Sequence, residues 1–164
     1  MQGITPEKLD QRWRTVINTI PVTDNMDEFL IVKFLVQNQD LFPDLAECPL
    51  IFAWEYPFDP RETRLGQADL IFWNGVDRAV VIEVKFISSA PGSTASTRRT
   101  RHRGKVQEQS YTYAQKFQEI HPEFEIKRLG LTNELLDRGG EASQIYRDFA
   151  AREWATLKAI YDYR

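Results

Sequence analysis

The chain has 164 residues, 42% of them hydrophobic, which is enough for one globular domain with a sizeable core and leaves no room for a second. Its single cysteine, Cys48, excludes an internal disulfide framework and a cysteine-rich zinc site, and its histidines, His102 and His121, have no partner at the spacing of metal ligands. The net charge of −3 by itself argues against nucleic-acid binding, but the distribution of the charge matters more than its sum. No transmembrane run or signal peptide is visible, so we expect a soluble, intracellular protein, cytoplasmic if prokaryotic, with no membrane partner.

The N-terminal part of the chain is predicted to form two helices. Pro6 favours the start of the first helix, since proline fits the first helical position, and Pro21 ends it. The apolar stripe of this helix consists of Leu9, Trp13, Val16, Ile17 and Ile20. A second helix is predicted over 24–40, with Thr23 or Asp24 as its N-cap.

The rest of the chain alternates between strand and helix patterns. We predict strands over 50–56, 67–73, 79–87 and 125–132, and helices over 104–120 and 141–161. Without the first and last helices this order is αβββαβ, which predicts an α/β fold with a mixed four-stranded sheet flanked by helices. The whole chain, 1–164, is expected to be a single domain.

The strand 79–87 carries two charges in a run that is otherwise apolar. Side chains alternate between the two faces of a strand, so Glu83 and Lys85 share one face. An unpaired charge buried there costs several kcal/mol, so each of the two needs a partner. They could satisfy each other or reach solvent at a sheet edge, but the preceding strand supplies a further acid.

The preceding strand forms a hairpin with 79–87 across the turn signal Asn74-Gly75. If the loop covers 74–78, Asp69 faces Glu83 on the same side of the sheet. A tight two-residue loop would place Asp69 opposite Val80 instead, so the register stays open.

In the first register the site has the parts of a metal-dependent phosphodiesterase. The facing carboxylates of Asp69 and Glu83 repel, and a hard divalent cation held by oxygens relieves that repulsion. With the Lys85 ammonium beside it, such a site offers what hydrolysis of a phosphodiester requires, namely neutralised phosphate charge and an oriented, polarised water.

These positions resemble the motif of the PD-(D/E)xK nuclease superfamily, which has the restriction-endonuclease-like fold. In that superfamily an Asp on one strand of a hairpin is followed by Asp/Glu-x-Lys on the next, as Asp69 is followed here by Glu83-Val84-Lys85. Ala68 stands where the family usually has proline. The resemblance implies the αβββαβ core and a Mg²⁺ ion, replaceable by Mn²⁺, bound by Asp69, Glu83 and the main-chain carbonyl of Val84. It also implies that Lys85 orients and helps to deprotonate the attacking water.

A further part of the resemblance lies on the helix predicted over 104–120. Its sequence contains Q-x-x-x-Y twice, as Gln107/Tyr111 and as Gln109/Tyr113, and this motif is similar to that of the RecB-like branch. Residues four apart share a helical face, so the glutamine can point at the site while the tyrosine contacts substrate. The first frame is favoured, with Gln107 positioning substrate or Lys85 and Tyr111 contacting nucleic acid, but the second stays open. The first frame is favoured because Tyr113 belongs to the predicted core stripe of this helix, which consists of Val106, Tyr113, Phe117 and Ile120.

An additional acid on the first core helix would complete the metal site that the resemblance implies. Glu28 is the candidate, with Asp27 and Glu55 as rivals. An acidic residue in a first helical turn also stabilises the helix dipole without any catalytic duty, so this alternative stays open.

The segment 88–103 is rich in Gly, Ser, Thr and Pro and is expected to be a flexible loop that ends in a basic cluster. It connects the Lys85 strand to the glutamine-bearing helix, which predicts that its guanidinium groups lie at the lip of the site. A solvated linker is the alternative interpretation. The residues expected to bind phosphates are Arg98, Arg99, Arg101, Arg103 and Lys105.

These observations favour a metal-dependent nuclease that hydrolyses nucleic-acid phosphodiester bonds, with DNA as the preferred partner and an endonuclease preferred over an exonuclease. The resemblance implies in-line attack that leaves 5′-phosphate and 3′-hydroxyl ends. The alternatives are a catalytically silent nucleic-acid-binding or assembly module, and a hydrolase of a small phosphate ester, which the arginine cluster disfavours. The bases read do not follow from the sequence, and a homo-oligomer stays open.

Overall fold

The computed structural model describes residues 3–23, 26–62, 66–89, 91–136 and 140–162. These residues form five α-helices and four strands, in the order α1 (Pro6–Thr19), α2 (Asp27–Gln37), β1 (Leu50–Pro57), β2 (Gln67–Trp73), β3 (Arg78–Lys85), α3 (Ser93–Ile120), β4 (Glu125–Thr132), α4 (Asn133–Leu136) and α5 (Glu141–Asp162). Two short 3₁₀ turns, Gln39–Leu41 and Pro43–Leu45, join α2 to β1.

The four strands form one mixed sheet in the order β1-β2-β3-β4. β1, β2 and β3 are antiparallel neighbours, and β4 runs parallel to β3. A parallel neighbour requires a crossover, and α3 provides it. The α/β class and the mixed four-stranded sheet predicted from the sequence are therefore confirmed.

The β2–β3 hairpin has the register of the longer predicted loop. Ile71 pairs with Val81, and Trp73 pairs with Ala79. The side chain of Asn74 fixes the turn. Its Oδ1 accepts, at 2.9 to 3.0 Å, hydrogen bonds from the backbone N–H groups of Val76, Asp77 and Arg78. An asparagine that bonds its own downstream backbone stabilises such a turn, and the turn sets which side chains of β2 and β3 lie opposite each other.

Alternate side chains of the sheet enter two cores. On one face the strands pack against α2 and α5, and this core includes Leu70, Phe72, Val80, Ile82 and Val84. On the opposite face α3 covers a smaller core, which includes Ala68, Ile71, Val81, Phe117 and Phe124. Within α2, all residues from 29 to 36 are buried. Burial of each large apolar side chain contributes about 1.5–3 kcal/mol, so both faces hold the sheet in place.

α1 covers the outer edge of β1. Its Asp10 carboxylate accepts the N–H of Ile51 at 2.7 Å, and the Trp13 indole donates to the carbonyl of Phe52 at 3.0 Å. Arg14 Nε lies 2.9 Å from both oxygens of Asp10 and holds that carboxylate in position. These side chains make the hydrogen bonds that a neighbouring strand would make, and so protect this edge of the sheet.

The largest difference from the sequence prediction is the N-terminal part of α3. The loop expected over 88–103 is wrong for residues 93–103, which form the first turns of a 28-residue helix. Once a helix is nucleated, each added residue costs little, so serine, threonine and arginine do not stop it. The part of α3 packed on the sheet provides the nucleus through Val106 and Phe117, which are buried, whereas Ile120, expected in the same core stripe, is exposed.

Smaller differences concern the ends of other elements. α2 is shorter than the predicted range 24–40, and its N-cap is Met26 and not Thr23. The alternative N-cap, Asp24, lies outside the described residues. β3 ends at Lys85, before the predicted end at residue 87. In the described part of the chain, no helix combines the length and the apolar composition of a membrane span.

Candidate active site

Asp69 and Glu83 lie one residue beyond the last regular pair of β2 and β3, which is Leu70 with Ile82. Beyond this pair, the hydrogen bond between the strands is made by the Asp69 side chain, whose Oδ2 accepts the N–H of Val84 at 2.8 Å. The carboxyl groups of Asp69 and Glu83 are within hydrogen-bonding distance of each other. The two acids therefore meet on one face of the sheet, as the longer-loop register predicts.

Burial makes this carboxyl pair hold a proton. Glu83 is 8% exposed, and its Oε2 is fully buried without a donor among the described N–H and O–H groups. Burial, and next the charge of Asp69, raise the pKa of Glu83 to about 9. Burial also raises the pKa of Asp69 to about 6, although the hydrogen bond from the Val84 N–H opposes this shift. Near neutral pH the pair therefore shares one proton, as expected for two buried carboxyls that cannot both ionise easily.

The same pair is suited to exchange its proton for a cation. Two carboxylates, together with the main-chain carbonyl of Val84, are hard oxygen donors of the type that Mg²⁺ and Mn²⁺ prefer. Glu83 Oε2, which lacks a donor among the described groups, is the atom that such a cation would satisfy. Within the described ranges, no group of three or more His, Cys, Asp or Glu side chains could hold a metal ion, so main-chain oxygen and water would have to complete the ligand set.

Lys85 lines a cleft of about 520 Å³, to which Asp69 and Glu83 do not contribute. The cleft is near the carboxyl pair, because two of its residues, Glu28 and Glu55, raise the pKa of Asp69 by their charge. The Nζ of Lys85 is 3.0 Å from Oε1 of Glu28 on α2, and both side chains are partly exposed. His102 of α3 lines the same cleft. The cleft thus collects polar side chains from the sheet, from α2 and from α3.

All three candidates for the additional acid, Asp27, Glu28 and Glu55, line this cleft. Glu28 is placed best, because it pairs with Lys85 and because its charge adds to the effect of burial in raising the pKa of both Asp69 and Glu83. Glu55 has φ 51°, a left-handed conformation that non-glycine residues rarely adopt and that costs about 1–3 kcal/mol. Strain of this kind is found most often at functional sites.

The second Gln/Tyr frame of α3 faces the carboxyl pair. Tyr113 lies against Gly66, where an added Cβ would be 2.5 Å from the tyrosine oxygen. Burial, and next the charge of Glu83, raise the pKa of Tyr113, whose hydroxyl is hydrogen-bonded to Gln109. Tyr113 also packs against the smaller core, as its position on the helical stripe predicts. The Tyr113 ring therefore packs in the core while its hydroxyl lies near the carboxyl pair.

The favoured frame, Gln107/Tyr111, lies on the β4 side of α3. Gln107 Nε2 donates to the carbonyl of Gly130 at 3.4 Å, and Gly130 is the parallel-strand partner of Glu83. Tyr111 is 53% exposed and lines a separate cavity with Arg128, whose guanidinium is 5.7 Å from the tyrosine ring centre. Gln107 therefore contacts β4, the strand next to the one that carries Glu83. The position of Tyr111 gives no support to a role at the carboxyl pair.

The helical geometry of α3 divides the arginines that were predicted to bind phosphates. Arg98 and Arg101 line a cavity of about 420 Å³ together with three hydroxyl-bearing residues, Ser93, Thr94 and Thr97. Arg103 is bound by Glu134 of α4, whose carboxylate oxygens are 2.6 and 2.8 Å from Nε and Nη2. The remaining predicted contacts do not line this cavity: Arg99 is half-buried and Lys105 is exposed.

His102 and Trp54 are cleft residues to which sequence reasoning gave no role. The position of His102 depends on where α3 begins, and the sequence offered no signal for that start. Trp54 lies next to Glu55 in β1, in a run that was interpreted only as a strand. The aromatic character of this run was the signal that could have been used.

No protein-family model, no curated protein and no solved structure matches the chain significantly. The functional conclusion therefore depends on the chemistry of the site.

Proposed function

We propose that the chain is a metal-dependent nuclease of the PD-(D/E)xK superfamily that hydrolyses nucleic-acid phosphodiester bonds, preferably in DNA. The observation that carries this proposal is the buried Asp69–Glu83 pair, with Lys85 two residues further along the same strand. Two carboxyls buried against each other lower stability, and groups with such raised pKa values cluster at functional sites. The succession α2-β1-β2-β3-α3-β4 supports the same assignment, because it is the αβββαβ order of that superfamily.

In this proposal Asp69, Glu83 and the carbonyl of Val84 would hold Mg²⁺ or Mn²⁺, and Glu28, which pairs with Lys85, would act on the cation through a bound water and not as a direct ligand. Such a cation, when bound, neutralises phosphate charge and polarises water. The Lys85 ammonium, which Glu28 holds at 3.0 Å, donates hydrogen bonds that orient the attacking water at the cleft. Attack in line with the leaving oxygen breaks the bond from phosphorus to the 3′ oxygen and leaves a 5′-phosphate.

The first turns of α3 bind the phosphates that flank the scissile one. Arg98 and Arg101 share their cavity with serine and threonine hydroxyls, and both kinds of group donate hydrogen bonds to phosphate oxygens. His102, which follows Arg101 on α3, lines the cleft together with Lys85, so this part of α3 lies beside the site. Positive charge therefore lies along the path that the nucleic-acid backbone takes away from the site.

The direct test is incubation of the protein with circular and linear DNA in Mg²⁺ or in EDTA, since circular DNA reports an endonuclease. Wild type should cut in Mg²⁺ and not in EDTA. Lys85→Ala and Asp69→Asn should each lower kcat by at least about 100-fold while circular dichroism shows an intact fold. Val76→Ala, in the exposed turn before β3, is the matched control and should keep full activity. Cleavage that persists in EDTA, or full activity of Lys85→Ala, would contradict the proposal, and a wild type that cuts nothing would favour the catalytically silent alternative.

A further inference from the structure

The cleft beside Lys85 has an aromatic wall. Trp54 and Phe86 line it and are half-buried, and the Trp54 ring centre is 5.5 Å from that of Phe29. Met26 contributes further apolar surface next to them. The volume of about 520 Å³ is within the range of pockets that hold small organic groups. Catalysis at a phosphate does not by itself require such an apolar wall.

The charges in this cleft disfavour a phosphate in its interior. The cleft contains three carboxylates, those of Asp27, Glu28 and Glu55. The Lys85 ammonium, which pairs with Glu28, lies against these carboxylates, while Arg98 and Arg101 line a different cavity. A nucleic-acid backbone is therefore attracted to Lys85 and to α3 and is repelled from the carboxylates. The occupant that fits the interior is neutral, and it carries N–H donors that the Glu55 carboxylate can accept, since the Glu28 carboxylate is already paired with Lys85.

We propose that this cleft binds an unstacked nucleobase next to the scissile phosphate, so that the substrate is single-stranded nucleic acid or a single-stranded end. The inference rests on the proposed nuclease function and narrows its substrate class. A nucleobase is planar and neutral, it stacks on aromatic side chains such as Trp54, and its exocyclic amino groups donate to carboxylates. A base in a duplex has to be unpaired and unstacked before it can enter, whereas a base in a single strand does not.

Lys85 connects this cleft to the proposed chemistry. It follows Glu83 by two residues on β3, and it lines the cleft together with Trp54. A nucleotide whose phosphate contacts the Lys85 ammonium therefore has its base beside the aromatic wall.

Binding measurements test this inference without cleavage. Dissociation constants are measured by fluorescence anisotropy, with Ca²⁺ in place of Mg²⁺, for a labelled single strand and a blunt duplex of the same length. Wild type should bind the single strand at least about tenfold more tightly, and Trp54→Ala should weaken single-strand binding about tenfold, the effect of losing one stacked base. Trp54→Phe should keep most of the affinity because it keeps a ring, and Val76→Ala should match wild type.

A second measurement uses the wild-type protein alone, because Trp54→Ala also removes a contact with Phe29. Single strands that carry 2-aminopurine at successive positions should show quenched fluorescence at the position whose base enters the cleft. Equal affinity for single strand and duplex, undiminished affinity in a folded Trp54→Ala protein, or fluorescence that is unchanged at every position would each overturn the inference. Failure of the nuclease proposal is distinct from these outcomes: a Trp54-dependent preference for single strands without Mg²⁺-dependent cleavage would support the base cleft and reject the catalysis.

Discussion

The Asp69–Glu83 pair ties the stability of the metal-free protein to pH. Burial raises the pKa of Asp69 from 3.8 to about 6 and that of Glu83 from 4.5 to about 9. The folded protein therefore keeps protons that the unfolded chain has already lost. The contribution of this pair to the free energy of unfolding is greatest below the unfolded pKa values and is lost as the pH rises through about 6 and then about 9. We expect the Tm in EDTA to fall by at least about 5 °C between pH 5 and pH 9.

Thermal unfolding followed by circular dichroism measures this dependence, with Asp69→Asn as the comparison. After burial, the charge of Asp69 is the largest cause of the raised Glu83 pKa. Asp69→Asn removes that charge, so the Tm of this variant should change clearly less with pH than the Tm of wild type. A wild-type Tm that stays constant or rises over this interval would contradict the buried, protonated pair.

The sequence left two registers open for Asp69, and the structure has the one in which Asp69 meets Glu83, because the Asn74 turn fixes the pairing of β2 with β3. Lys85 lies on the same strand as Glu83 and pairs with Glu28. The sequence was not sufficient for the second place of Tyr113. In a helix each residue turns the side-chain direction by about 100°, so the direction of a side chain depends on packing that the sequence does not show. Tyr113 was expected to be a core residue, and its hydroxyl lies near the carboxyl pair.

At the level of elements, the helical start of α3 gives its arginines different roles. In a flexible loop all of them could turn toward phosphates. On the helix, Arg98 and Arg101 share a cavity, whereas Arg103 is bound by Glu134. This difference could not be predicted, because the Gly/Ser/Thr composition of 88–103 is typical of a loop and the packing of the following turns decided the outcome.

A salt titration separates these roles. Replacement of both Arg98 and Arg101 by alanine should reduce the slope of log K against log salt by about 1.4 for a single strand and about 1.8 for a duplex, since each neutralised phosphate contributes about 0.7 or 0.9. Arg103→Ala is the matched control and should change the slope by less than half of one such contribution, because Glu134 occupies its guanidinium. At saturating substrate the double variant should recover most of its turnover. If the slope changed equally per arginine in both variants, Arg103 would contribute to phosphate binding as much as Arg98 and Arg101, and the expected difference between them would be wrong.

At the level of the whole molecule, the fold brings the site together from separate elements. α2 contributes Glu28, β1 contributes Glu55, and β2 and β3 contribute Asp69, Glu83 and Lys85. The sheet order could be predicted. β1, β2 and β3 follow one another without a helix between them and so pair as antiparallel neighbours, and the long helix α3 returns the chain so that β4 pairs parallel to β3. The choice of Glu28 to pair with Lys85 could not, because it depends on how α2 is placed against the end of the sheet.

A cation that binds the carboxyl pair should stabilise the whole fold, because the pair forms only in the folded chain. At 100 times its dissociation constant such a ligand adds about 2.7 kcal/mol, which for a domain of this size is about 5–10 °C in Tm. The shift with Mg²⁺ or Mn²⁺ should be larger at pH 8 than at pH 5, since binding displaces the proton that the pair holds and that proton is released more easily at higher pH. Differential scanning calorimetry should find this shift in wild type and in Val76→Ala and should find it lost in Asp69→Asn. An equal shift in Asp69→Asn would mean that the cation binds elsewhere, and the nuclease proposal would then lose the site on which it rests.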